Sequence, residues 1–308
     1  MLHLLNGDST LETFRSSGIG KDDDVEVWRE MLSEGPVSYD TAQEDFQKTR
    51  LAFFHKIGVS EEEYERLSGP GWKTLARFTR WEDVTLWFEY DVFCQINLIA
   101  LLSRIHHTSR WNTAIFLVCT GDLPGYPRRM ALGELDAALY PELYDSKIMV
   151  FEEDMAWADR AWRAFCSKDP RDLLPFTRSE DSPKLLPYLA EALMAHLRRF
   201  PQADTGLNDI EASLLSLAHQ GFADKTALVS AAMAQDHIYK LGDGTYFRIL
   251  EGIAPLLESF SPTRLSPQGL AVLEGRETFR PKNTENPTLG GAKKYAWVWK
   301  EGALVPQS

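Results

Sequence analysis

Cysteine is scarce in this chain, with three residues in 308, at Cys94, Cys119 and Cys166. None forms a C-x-x-C pair and the number is odd, which argues against a disulfide framework and a structural zinc site. Positive charge is also short. Lys and Arg number 33 against 45 Asp and Glu, a formal charge of −12. Indiscriminate attraction to nucleic acid or to an anionic membrane needs the opposite balance. Long apolar runs are missing too: the strongest, Ile96–Leu102, falls far below the ~20 residues of a spanning helix. The opening MLHLLNGDST has no basic stretch followed by a long apolar one, so no secretory signal is expected. Together these absences predict a cytoplasmic protein with no membrane partner. Neither G-x-G-x-x-G after the first strand, nor G-x-x-x-x-G-K-[ST], nor H-E-x-x-H occurs. That removes the dinucleotide fingerprint, the Walker phosphate loop and the zincin motif.

The chain does hold ample material for a core, 44% hydrophobic residues, and its length suggests about two domains at roughly 150 residues each. Charge divides unevenly. The balance is −11 up to Asp204 and −1 from Thr205 onward. The shift coincides with the turn-rich stretch Phe200-Pro-Gln-Ala-Asp-Thr-Gly206, where Pro and Gly interrupt helical patterning. The expected organisation is an α/β domain over 1–150, a helical bridge over 151–204 and a C-terminal domain over 205–308.

Within the first segment, Leu2–Leu5, Val25–Trp28, Val84–Phe88 and Ala114–Cys119 read as strands. Helical spacing over Thr10–Ser17, about 40–57, about 61–78 and through Ile96–Ile105 separates them. Apolar strands alternating with helices predict a parallel sheet covered on both faces, a Rossmann-like α/β domain. In such sheets ligands bind beyond the C-terminal ends of the strands. Asp8, Glu30, Glu89, Asp91 and Asp122 all fall at or just past strand ends. Asp8, Glu89 and Asp91 are therefore candidate acid/base groups and candidate ligands of Mg²⁺, which favours oxygen donors. Asn6, Gly7, Ser9, Arg29, Glu30, Gln95 and Gly121 complete the candidate ligand-binding set. Gly7 and Ser9 would offer amides to an anion at a helix start, and Arg29 a positive charge.

Each of these residues also has a structural reading. Ser9-Thr-Leu-Glu12 fits a capping box, Asp91 fits an N-cap, and Glu30 and Asp122 fit solvated loop charges. Cys94 fits a small buried hydrophobe, since neighbouring carboxylates would raise its pKa. Gly7-Asp8-Ser9 resembles the nucleophile block of GDS-type esterases, but His106 and His107 come too early for the histidine such an enzyme needs.

Several longer stretches resemble the bacterial family called domain of unknown function 1835. They are Leu2–Ser9, Val27–Glu30 with Glu34-Gly-Pro36, and Leu86–Gln95. Leu132–Leu135, Ala161-Trp162 with Phe165–Ser167, and His196–Pro201 with Gly206-Leu207 complete them. The resemblance covers most of the chain, including a helical domain that accompanies the first. It implies no activity, but it implies that Asn6–Ser9, Arg29-Glu30 and Glu89–Gln95 act together. Relatives commonly carry His where this chain has Tyr90, so position 90 receives no catalytic role.

Beyond residue 150, Glu153–Cys166 and Leu185–Phe200 carry helical apolar stripes that suit packing. After Gly206 the pattern resembles a winged helix, with helices from Asn208 to about Leu217, from about Asp224 to Ala234, and over Thr245–Ser259. The last would be a poor reader of DNA, offering Arg248 beside Glu251 and Glu258. The tail holds Arg276, Arg280, Lys282, Lys293, Lys294 and Lys300, interleaved with Tyr295, Trp297 and Trp299. Those aromatics, two apart, would share one face of a strand and either stack on bases or dock on the parent domain. Two functions follow as expectations. In the first, a small phosphorylated or nucleotide-like ligand, with Mg²⁺ as the candidate ion, binds at the strand ends. In the second, a regulatory or adaptor protein uses the winged-helix-like segment to bind DNA or a protein.

Overall fold

The computed structural model describes residues 1–109, 112–178, 180, 182–281 and 286–307. In chain order the first part runs β1 (Leu2–Asn6), α1 (Leu11–Ser16), β2 (Asp24–Trp28), β3 (Gly35–Pro36), α2 (Glu44–Lys56) and α3 (Glu61–Leu75). It continues through β4 (Asp83–Glu89), α4 (Val92–His106), β5 (Ala114–Thr120), α5 (Tyr140–Asp145) and β6 (Ile148–Met149). All of these strands but β3 form a five-stranded sheet in the order β2-β1-β4-β5-β6. β1 pairs in parallel with β2 and β4, β4 pairs in parallel with β5, and β6 closes the edge antiparallel. The predicted α/β class with a mostly parallel sheet is present.

Strand alternation sorts the two faces. Leu4, Leu86, Phe88 and Leu117 join the larger core with α4, whereas Leu5, Trp87 and Val118 join a smaller one with Phe14 of α1 and Tyr140 of α5. The run Ile96–Leu102 forms about two central turns of α4, buried on every side. Chain order matters for function here. From β1 the chain moves outward to β2, then crosses back over β1 to β4. The crevice between the C-terminal ends of β1 and β4 is thus the topological switch point, where such sheets bind ligands.

The remainder runs α6 (Glu152–Phe165), α7 (Leu189–Leu197), α8 (Asp209–Gln220), α9 (Lys225–Gln235) and α10 (Asp243–Gly252). Then come β7 (Leu257–Phe260), β8 (Thr263–Leu265), α11 (Pro267–Leu273), β9 (Thr288–Gly290), β10 (Ala292–Lys293), β11 (Trp297–Lys300) and β12 (Ala303–Pro306). The larger core is continuous from the sheet through α6 and α7 to Leu214, Tyr246 and Val272. β9 also adds in parallel to β3, tying the C-terminal part to the loop after β2.

Several expectations need correction. The helix expected over Thr245–Ser259 stops at Gly252, because Gly252 and Pro255 end it and Leu257 starts a hairpin strand. Leu265–Leu273, whose sequence looks like the element leading into the wing of many bacterial regulators, is mainly the helix α11, capped by the Ser266 hydroxyl accepting from the Gly269 amide. Tyr295 sits in a 3-10 turn ahead of β11, so the three aromatics do not share one strand. The Ser9–Glu12 capping box does not form, since Asp8–Thr10 winds into a 3-10 turn that leads directly into α1. Lys282 lies outside the described residues.

Candidate functional site

Where β1 and β4 end, Asn6, Glu89, Asp91 and Cys94 converge. Asn6 follows Leu4 in the alternation, so its side chain faces α4. There its Nδ2 donates to Cys94 Sγ at 2.9 Å, while its Oδ1 accepts from Asn97 Nδ2 at 2.9 Å. Asn97 also donates to the Glu30 carbonyl at 2.8 Å and accepts from the Leu32 amide at 3.2 Å. The switch point is therefore cross-braced by two asparagines. The sequence signal for Asn97 is that it is the lone polar residue within the apolar run of α4.

Glu89 is the last residue of β4 and Asp91 caps α4, accepting the Cys94 amide at 2.9 Å. The capping reading of Asp91 is thus present, and its carboxylate remains part of the cluster. One carboxylate oxygen each from Glu89 and Asp91 and the Cys94 sulfur lie within 4.8 Å of one another. Glu89 Oε1 accepts the Leu132 amide at 2.8 Å, and its Oε2 lies 3.9 Å from Cys94 Sγ. Glu89 is 8% exposed and Asp91 1%. Among the described residues neither has an ion-pair partner.

This environment decides their protonation. Burial, then the Asp91 charge, pushes Glu89 up to about 8, against the opposing Leu132 amide and the weaker pull of Lys240. Burial also pushes Asp91 up to about 6, while hydrogen bonds from Cys94 work the other way. Two adjacent buried carboxylates titrate as a pair, and the raised pKa values favour a protonated member over two charges. Burial and the same two carboxylates hold the Cys94 thiol well above its ordinary value. It is no nucleophile in this state.

The C-terminal part roofs the cluster. The Val92 amide donates to the Ile238 carbonyl at 2.8 Å. The loop that provides it is wound around the Asp236 carboxylate, which accepts the amides of Ile238, Tyr239 and Lys240 and the Tyr246 hydroxyl. Lys240 is held there in the left-handed region, with φ 47°. Gln95 Nε2 donates to the Glu89 carbonyl at 2.6 Å. Its Oε1 and the Thr120 hydroxyl are buried without a hydrogen-bond partner among the described residues.

The other candidate residues lie elsewhere. Asp8 is 60% exposed and grips Arg29, whose Nη2 and Nε reach it at 2.7 and 2.9 Å. Glu30 is buried on the α2–α3 side, where Arg50, Tyr64 and Trp72 hold it. Gly7 has φ +92°, a conformation glycine adopts without strain, and its amide donates to the Trp28 carbonyl at 3.0 Å. Ser9 is exposed. Gly121 makes room for Tyr188: a Cβ there would meet the ring at 2.4 Å. The Tyr188 hydroxyl accepts the Asp122 amide at 2.8 Å, and the Asp122 carboxylate faces Arg129. The structure thus joins Asn6, Glu89, Asp91 and Gln95, and leaves Gly7, whose amide is committed to Trp28, with Asp8, Ser9, Arg29, Glu30 and Gly121 outside the cluster.

The donor set also bears on the metal. Mg²⁺ favours near-octahedral oxygen sites that keep several waters. Two carboxylates beside a thiol suit a borderline ion such as Zn²⁺ better, with Mn²⁺ intermediate. Neither a protein-family model nor a curated protein matches this chain.

Proposed function

We propose that this protein binds a small polar ligand at the switch point between β1 and β4, with Glu89 and Asp91 serving as a proton-sharing acid/base pair. One observation carries the reading: two adjacent buried carboxylates at a strand end, with no cation paired to either among the described residues. Such an arrangement is costly to keep unless protonation or a bound cation relieves it. The unpartnered Gln95 Oε1 and Thr120 hydroxyl beside it offer hydrogen bonds to the same ligand.

A phosphorylated or nucleotide-like ligand fits this rim only with a divalent ion between its phosphate and the carboxylates, because bare anion and carboxylate repel. Glu89, Asp91 and Cys94 would hold that ion, which would supply charge neutralisation. Asn6 steadies the sulfur, and the Leu132 amide fixes Glu89. The loop 121–135 covers this rim: Leu132 and Leu135 are buried in the smaller core, and Arg129 pairs with Glu191 at 2.6 Å and lies over the Tyr188 ring.

The regulatory reading has one feature in its favour, the succession α8, α9, α10 and a β7–β8 hairpin, as in a winged helix. Against it, Arg248 of α10 already binds Glu34, Lys294 is buried with Glu211, and the Trp299 indole donates to the Leu197 carbonyl. The test of the preferred reading is thermal melting of the full chain with nucleotides and phosphorylated metabolites, each with Mg²⁺, Mn²⁺ or Zn²⁺. The expected result is ion-dependent stabilisation that Glu89→Gln abolishes. Stabilisation by none of them, or stabilisation unchanged in both Glu89→Gln and Asp91→Asn, would sink it.

A further inference from the structure

A second cleft, of about 440 Å³, lies between the loop after β2 and helix α10, and shares no lining residue with the strand-end cluster. Its charge runs against that of the chain. Among the described residues, Lys56, Arg199, Arg248, Lys293 and Lys294 line it against the carboxylates of Glu34 and Glu211, in a protein whose formal charge is −12. Both carboxylates are already engaged. Lys294 pairs with Glu211. Glu34 accepts the Thr245 hydroxyl at 2.7 Å and Arg248 Nη2 at 3.0 Å.

Arg199 is the informative residue. It follows α7, is 6% exposed, and has no ion-pair partner among the described residues. Its Nη1 donates to the Ser33 carbonyl at 2.5 Å, while Nε and Nη2 make no hydrogen bond among those residues. Burial pulls its pKa below the usual arginine value, although the charge of Glu34 opposes the shift. A buried guanidinium with no carboxylate paired to it among those residues is an expensive group to keep. An oxyanion in the cleft would satisfy it. Beside the cations, Phe53, Ile57, Ile249 and Leu289 give the cleft an apolar wall.

We propose that this cleft binds a small phosphomonoester, with its phosphate between Arg199 and Arg248 and its ring or carbon skeleton on Phe53 and Ile249. A phosphate dianion matches two guanidinium forks better than a single carboxylate does, because it offers more oxygens and more charge. The volume falls within the range of small-molecule sites and suits a ligand about the size of a mononucleotide. Glu34 holds Arg248 in place at the cleft wall.

Isothermal titration of the full chain with AMP, adenosine and inorganic phosphate, in EDTA at low ionic strength, tests this. The expected pattern is binding of AMP and phosphate but not of adenosine, weakened about tenfold or more by Arg248→Gln and retained by Glu89→Gln. Arg199→Lys, which keeps the charge but removes the fork, should weaken it as well. If that variant fails to fold, Arg248→Gln alone decides. Absence of phosphate and AMP binding overturns the proposal, as does binding that Arg248→Gln leaves unchanged. Binding that appears only when Mg²⁺ replaces the EDTA, and disappears in Glu89→Gln, assigns the ligand to the strand ends instead. The failure of either site is therefore visible without the other.

Discussion

Glu30, two residues past β2, and Glu89, the last residue of β4, lie at the same rim of one sheet and both are buried, yet they occupy opposite chemical situations. Glu30, 1% exposed, accepts Arg50 Nε at 3.2 Å, the Tyr64 hydroxyl at 2.5 Å and the Trp72 indole at 3.2 Å. Arg50 spends its other donors on the carbonyls of Met31, Glu34 and Pro36. That network fastens α2 and α3 to the loop after β2, and every strong acceptor in it has a donor. Glu89 has one amide and a neighbour of its own charge. Burial alone therefore does not mark a site in this protein. What separates the two carboxylates is whether the fold supplies a counter-charge, and only the one without it is poised to exchange a proton or take an ion.

The largest expected effect comes from turning Glu30 into a residue like Glu89. Arg50→Met removes the guanidinium and leaves a buried carboxylate unpaired, a change of about 3–5 kcal/mol. Urea denaturation should show that loss, and Glu30→Gln added to Arg50→Met should recover part of it. An Arg50→Met protein as stable as the parent would mean that the pairing does not explain the difference between the two carboxylates.

The converse change sharpens the same contrast through pH. Glu89 binds its proton more tightly folded than unfolded, because burial and Asp91 raise its pKa. Its stabilising contribution is complete below the ordinary glutamate range and is lost as pH rises towards about 8. Melting temperature should accordingly decline across that window more steeply in the parent than in Glu89→Gln. The variant should be the more stable protein at the alkaline end. Glu30→Gln should show no such gain, since it breaks a satisfied network. Parallel pH profiles for parent and Glu89→Gln would mean that Glu89 is ionised throughout.

Much of the fold was legible because it rests on local signals. The four parallel strands are short apolar runs closed by polar residues, and α4 begins after an Asp-capped turn, as Asp91 announces. The rim carboxylates were legible only as a set. In the sequence Glu30 and Glu89 have the same standing, each a carboxylate after an apolar strand. The residues that separate them come from far along the chain: Arg50 and Tyr64 on two helices, the Leu132 amide in a loop, and Lys240 in the roof. Long-range pairing of that kind has no periodicity to read. Position 8 illustrates the same limit, since nothing in Asn6-Gly-Asp-Ser9 indicates that Asp8 turns outward to Arg29.

Asp8 supplies the smallest expected effect and the finest test of the comparison. It is a third carboxylate at a strand end, but it stays in water and holds a partner. An exposed pair of this kind contributes roughly 0–1 kcal/mol even with bidentate geometry, because solvent screens the charges and ordering two side chains costs entropy. Asp8→Ala should therefore shift the melting temperature little, and less at high salt. It should also leave divalent-ion affinity, measured by titration, within about twofold of the parent, a difference worth less than about 0.5 kcal/mol. Loss of ion binding on the scale of Glu89→Gln would mean that Asp8 releases Arg29 and swings into the cluster. The distinction that matters at this rim would then be mobility rather than pairing. Retained ion binding would leave Glu89 and Asp91 as the carboxylates through which the rim reaches an ion.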